Sequence, residues 1–387
     1  MRKKKLSFNE DEEKQASVSK PSVKRRVWRI LGRIGICCFA AILFAVSAAY
    51  AILYSVLNGP SPTVRDKLVL SALEGSATKW LPGLFLSQET VDAIAAESRS
   101  IATDSVSMDD YIQSDEDVET SVEDEFANYP DGIRIDTVTK QTFTAYVMLV
   151  KDPSRVFIGP TYSYSNAGSG KQIFQAVEME DAVAGINGGE FSDIGGQGTG
   201  AQPMGLTYSK GSCVWDDGHY STFMGFDKDN RLIVENGMTR ARAEELGIRD
   251  GCSFWGQEGD NRLITNEGGS VQFHYATGDA GVAQRTAIGQ RADGVVIMIV
   301  TDGRSASSLG ATRNDLVDLF IEYRAVVAGR LDGGSSAMMY YENYAEKYNL
   351  DPETLNATQK DGMVNNYKAF TGYRYIPTYF LVRREEA

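Results

Sequence analysis

Residues 329–341, GRLDGGSSAMMYY, bring a carboxylate (Asp332), two glycines (Gly333, Gly334) and two hydroxyls (Ser335, Ser336) to the point where an apolar run stops. Glycines directly after a strand permit positive φ and let the backbone approach a ligand closely. Backbone N–H groups and hydroxyls in such a turn can grip an anionic oxygen. A lone D-G-G is more often an ordinary strand-to-loop turn, so its companions decide. GINGGEF (185–191) ends a second apolar run on Asn187, Gly188, Gly189 and Glu190, and TDGR (301–304) ends a third on Asp302 and Arg304. QRTAIG (284–289) adds Arg285 and Thr286. Carboxylates suit proton transfer or nucleophilic attack, and a guanidinium suits an anionic oxygen.

The elements that must position these groups are legible from periodicity. Residues 182–186, 295–300 and 325–331 are short apolar runs rich in small and β-branched side chains, which predicts buried strands. Between the last two, Thr312 caps a helix with Asp315 three residues on, and Leu316, Leu319, Phe320 and Tyr323 share one face. Strand, helix, strand with short links predicts a βαβ unit, so the two strands run parallel and Asp302 and Asp332 share one sheet edge. The helix at 172–180 and its strand have the same form and would deliver Asn187 to that edge. Ligands bind outside the carboxyl ends of such strands. Further β-like runs lie at 143–150, 156–158, 204–208, 223–226 and 231–234, with 227–230 as a hairpin turn. The predicted fold is α+β, or mixed α/β: one globular domain with a mixed β-sheet core and few helices, after one N-terminal transmembrane helix.

The chain has 387 residues and a formal net charge of −13, which argues against nucleic acid as a partner. Residues 1–33 form a basic tail, and 34–57 run without a charge. That run is long enough to cross a bilayer core of about 30 Å. The Lys and Arg before it place the N-terminus in the cytoplasm and everything after residue 57 outside, a single-pass cell-membrane protein. A cleaved signal peptide is the rival, but signal apolar regions span only about 7–15 residues. Residues 58–131 are expected to be a stalk of two short helices and then, over 101–131, a disordered acidic linker without a Lys or Arg. The domain proper is 132–387, with a Gly-rich loop at Gly195, Gly196, Gly198 and Gly200. Two histidines, His219 and His274, share no motif, build no zinc site, and are expected on loops or the surface. A Cys213–Cys252 disulfide is open, as is the oligomeric state.

Taken together and in this order, GINGGEF, QRTAIG, TDGR and LDGGSS, closed by YIPTYFLV (375–382), resemble the phosphodiester glycosidase domain family over about residues 135–385. The resemblance implies the activity of N-acetylglucosamine-1-phosphodiester α-N-acetylglucosaminidases, which remove the sugar and leave a phosphomonoester. The membrane-anchored arrangement is similar to bacterial relatives labelled exopolysaccharide-biosynthesis proteins. Glu190 departs from the family's NGGFF form, where a Phe stands.

Glycosidases commonly use two carboxylates around an oxocarbenium-like transition state. Asp332 is the first candidate for base or nucleophile, with Asp302 or Glu190 as the second carboxylate. Arg285, or Arg304 after it, is assigned to the phosphate. Asn187, Thr286, Ser335 and Ser336, with the N–H groups of Gly188, Gly189, Gly333 and Gly334, are expected to hold substrate, although a structural role for Thr286 is the simpler reading. No cofactor is expected, and calcium or magnesium remains compatible with the carboxylates. The expected function is an extracytoplasmic hydrolase of sugar phosphodiesters on envelope or exopolysaccharide glycans. Glycosyl transfer from the same site and glycan binding without turnover are the alternatives. Product analysis with an acceptor sugar separates them.

Overall fold

The computed structural model describes residues 23–73, 78–98, 100–113, 122–159, 164, 169–192, 200–255, 260–277, 281–305, 308–367 and 372–385. Gly195, Gly196 and Gly198 and the acidic stretch 114–121 lie outside them. Two units are distinct, Met1–Val56 and Leu57–Ala387. The first carries all but the last residue of α1 (Val23–Leu57), within which Ile30–Leu57 is long and apolar enough to cross a membrane.

In the second unit an eight-stranded sheet runs in the order Ile101–Ser107, Ser270–Ala276, Arg262–Glu267, Ala325–Leu331, Thr286–Arg291, Val296–Thr301, Thr144–Val150, Ile133–Thr139. Its neighbouring strands pair antiparallel. The Val296–Thr301 and Ala325–Leu331 strands do run parallel, but with Thr286–Arg291 between them, antiparallel to both. Alternation along each strand feeds two cores. Tyr146, Met148 and Val150 face one side, where Phe226, Val234, Ile186 and Phe380 of a five-stranded and a four-stranded sheet meet them. Ala145, Val147 and Leu149 face the other, against Leu316, Leu319 and Phe320 of the helix Arg313–Glu322. That helix has the predicted capping box of Thr312 and Asp315. Burial on both faces explains why these strands read as unbroken apolar runs.

The linker expectation is overturned where residues are described. Ile101–Ser107 pairs along its whole length with Ser270–Ala276 as an edge strand. Its side chains are mostly exposed, so backbone pairing orders it, a contribution invisible to an argument from apolar burial. Its neighbours also bury Phe126, and the acids serve as ion partners: Glu125 meets Arg134 at 3.3 Å and Arg291 at 2.9 Å. The two helices after α1, α2 (Pro62–Leu73) and α3 (Gln88–Ser98), dock on the domain, with Ser71 Oγ accepting the Val282 N–H at 3.1 Å. His219 is exposed as expected, but His274 is buried in a strand between the hydroxyls of Thr103 and Thr265. Cys213 and Cys252 are free thiols on strands that flank Leu206–Ser209.

Candidate functional site

The register of the large sheet sets the site. Thr286 stands level with Val300 on one side and Leu331 on the other. Asp302 and Asp332, just past those partners, therefore flank the Gln284–Arg285 backbone. Asn187 arrives from a different sheet, at the end of the strand Ala182–Asn187. Its fully buried amide knots three turns together: it donates to the Asp332 carbonyl at 2.6 Å and accepts from the Thr286 hydroxyl at 2.7 Å and the Met338 N–H at 3.2 Å. Asn187, Thr286 and Asp332 thus meet, although Asn187 comes from the four-stranded sheet and not from the edge that carries Asp302 and Asp332.

The glycines serve that meeting. A Cβ on Gly189 would lie 2.0 Å from the Ser253 carbonyl oxygen, one on Gly188 2.8 Å from that of Thr378, and one on Gly333 2.7 Å from that of Gln284. Several N–H groups expected to face substrate are bonded within the protein, Gly188 to the Thr378 carbonyl and Gly334 to the Gln284 carbonyl, both at 2.9 Å. Gly189 donates to the Cys252 thiol.

Arg285 has the same fate. It is 2 % exposed and donates to the carbonyls of Ala311 at 3.1 Å and Gly281 at 2.7 Å, which makes it a staple between loops rather than a group facing a ligand. Asp302 is likewise occupied, accepting from the Tyr146 hydroxyl at 3.1 Å and the Asn366 N–H at 3.0 Å. Arg304 is exposed with φ of 52°, and its guanidinium reaches over Gly334, 3.7 Å from where a Cβ would stand.

Asp332 is surrounded differently. Its carboxylate takes the Ser336 hydroxyl and faces Arg374. One Arg374 nitrogen donates to Ser335 Oγ at 2.6 Å and Ser336 Oγ at 3.1 Å, and the guanidinium lies over the Phe191 ring at 4.9 Å. Tyr367 braces the arrangement: its hydroxyl donates to the Ser335 carbonyl at 3.1 Å and accepts the Arg374 N–H at 3.2 Å. Burial pushes the Asp332 carboxyl up to about 6; the nearby charge of Glu190 adds to the rise, while Ser336, Arg374 and the Gly333 N–H oppose it. Glu190 also accepts the backbone N–H of half-exposed Trp255 at 3.2 Å. The result is two carboxylates, two hydroxyls and a cation in one place, a set able to bind an anion beside a group that exchanges a proton near neutral pH.

Sequence reasoning missed Arg374. It sits in Tyr373-Arg374-Tyr375, ahead of the closing strand Tyr379–Arg383, and no motif marks it. The one available signal was a lone cation among aromatics beside a recognised motif. Among the described residues no cluster of three or more metal-ligating side chains occurs. A cleft of about 870 Å³ lies elsewhere, along Leu232, Ile233 and Val327, and no candidate residue lines it.

A Bacillus subtilis (strain 168) relative, the SPbeta prophage-derived uncharacterized protein YomE, is 26 % identical over 202 residues, 48 % of this chain. The chain spans 28 % of that protein's length. Among solved structures, the zebrafish N-acetylglucosamine-1-phosphodiester alpha-N-acetylglucosaminidase catalytic domain, auto-inhibited by its pro-peptide, overlaps 74 % of this chain and 89 % of its own. That overlap is loose, at a TM-score of 0.48 and 16 % identity. The phosphodiester glycosidase family matches residues 180–383, more than half of the sequence and all of the turns that meet at Asp332. This chain belongs to the phosphodiester glycosidase family.

Proposed function

We propose that the protein is an extracytoplasmic hydrolase of glycosyl-1-phosphodiesters on envelope or exopolysaccharide glycans, held to the membrane by α1 with its N-terminus in the cytoplasm. The observation that carries the reading is the Asp332 carboxylate, desolvated to a carboxyl value of about 6, bonded to Ser336 and opposed to Arg374. At neutral pH Asp332 is mostly ionised and serves as the base or nucleophile at the anomeric carbon, with Glu190 as the second carboxylate. The phosphate sits at Arg374, Ser335 and Ser336, with Arg304 at the rim. A guanidinium there stabilises the departing phosphate by charge-assisted hydrogen bonds. A phosphomonoester leaves readily, so strong acid assistance is not needed.

The test is turnover of a GlcNAc-1-phosphodiester model compound by the full chain in detergent. Asp332→Asn is expected to abolish sugar release, and Arg374→Gln to lower it by about two orders of magnitude, in the range seen when one donor to a developing anion is removed. Wild-type rates in both variants would end the proposal. Saturable glycan binding without product from the wild type would favour a non-catalytic role, and a glycosylated acceptor would favour transfer.

A further inference from the structure

Large apolar side chains that stand in solvent after α1 concentrate in the hairpin that immediately follows it. Val64 is 47 % exposed, Leu68 39 %, Trp80 63 % and Leu84 56 %, whereas the far longer remainder of the described chain shows only scattered ones. Helix α2 has two apolar sides. Val69 and Leu70 are buried with Val91 and Ile94 of α3, and Gly281 of the domain packs so closely that a Cβ there would stand 2.7 Å from the Leu70 backbone. Val64 and Leu68, four residues apart and so on one helix face, lie roughly opposite that buried pair. Trp80 and Leu84 cap the far end, beside the turn Pro82–Leu84, and Lys67 and Lys79 are exposed among them.

What covers this apolar side follows from chain continuity. Leu57 ends the apolar span Ile30–Leu57, and it is itself buried in the cluster with Val69, Leu70, Val91 and Ile94. The hairpin is therefore fixed at the residue where the span ends. Tryptophan, leucine and lysine together are the side chains that partition to a headgroup boundary, apolar body inward and polar atoms to water.

We infer that the α2–α3 hairpin rests in the headgroup region of the bilayer that α1 crosses. Trp80 and Leu84 insert, and Val64 and Leu68 lie against the lipid, giving the domain a second membrane contact. Such elements sit about 5–10 Å into the headgroup–acyl boundary. The inference rests on the membrane reading of α1, and the experiment separates the two.

Full-length protein and its Trp80→Phe variant are reconstituted into vesicles of phosphatidylethanolamine and phosphatidylglycerol that carry bromine at defined acyl positions. Flotation is measured first, then tryptophan emission. The difference between the two proteins isolates Trp80, since the other tryptophans are common to both. The expected Trp80 component is blue-shifted, quenched more by bromine near the headgroup than near the chain end, and shielded from aqueous acrylamide. A chain that fails to float overturns the membrane anchor and this inference together. A chain that floats, with a Trp80 component quenched by acrylamide and untouched by bromine, overturns the inference alone. Shielding from both that is lost when the protein is diluted over more vesicles overturns it in favour of a second copy of the chain.

Discussion

Replacing Asp332 with Asn is expected to stabilise the folded protein at neutral pH while removing the proposed turnover. Folding raises the carboxyl from 3.8 to about 6, chiefly because the packed turns exclude water from it. The folded state therefore holds this proton more tightly than the unfolded chain. Below about pH 3 both states are protonated and the group costs nothing. As pH climbs from 4 to 6 the folded state must give up a proton it binds well, so stability falls, and above 6 the whole cost is present. Two pKa units correspond to about 3 kcal/mol. That figure is an upper bound, because Asp332 is only part-buried by surface area and water at the mouth screens the charge. Asn keeps the shape and can still accept from Ser336, but it carries no charge at any pH. The variant-minus-wild-type difference should thus grow from near zero at pH 3 to as much as about 3 kcal/mol at pH 7.5, or roughly 6 °C in Tm. Thermal unfolding of the full chain in detergent, followed by near-UV circular dichroism across that range, measures it. A difference that stays flat with pH, or a variant less stable than wild type at pH 7.5, would refute the desolvated-carboxylate argument.

The pH dependence of turnover should follow the same group. The wild-type kcat/KM on a glycosyl phosphodiester is expected to rise through an inflection near pH 6 as Asp332 ionises. Glu190→Gln removes a like charge and should move that inflection downward; a profile that does not move would take Glu190 out of the pair. Arg285→Ala should act on stability instead of substrate binding. It strips a donor from both the Gly281 and Ala311 carbonyls; Ala311 keeps the Ala283 N–H at 3.2 Å, so the main cost is about 1–3 kcal/mol at Gly281. Its Tm should drop while KM holds, and the opposite pattern would return Arg285 to the phosphate.

Much of the frame was legible because it depends on local pattern. The runs ending at Asn187, Asp302 and Asp332 are apolar throughout since both faces of their strands are covered, and the Thr312–Asp315 box announces its helix in four residues. The interposed strand Thr286–Arg291 was not legible as such, because which strands neighbour one another depends on long-range pairing. The Ile101–Ser107 strand was hidden for a related reason: its order comes from a partner strand far along the chain, while its own composition reads as solvated. Arg374 could not be separated from the chain's other cations until the fold placed it over Phe191 and against Ser335 and Ser336.

The turns do meet, and several groups expected on substrate are taken up within the protein for one physical reason. A sequence displays donors and acceptors without showing which of them the protein uses on itself. The Asn187 amide, the Gly188 and Gly334 N–H groups and the Arg285 guanidinium look like ligand-binding groups, and the fold uses them to bind turn to turn. That internal use is what lets backbones from two sheets approach so closely that a Cβ on Gly189 would fall 2.0 Å from a carbonyl oxygen. A floor packed so tightly leaves little room for water beneath Asp332, and desolvation is the largest cause of its raised carboxyl value. The position of the carboxylate and its readiness to exchange a proton near neutral pH therefore have a common origin. The glycine turns shape the chemistry by how closely they pack, and only secondarily by what their amides could hold.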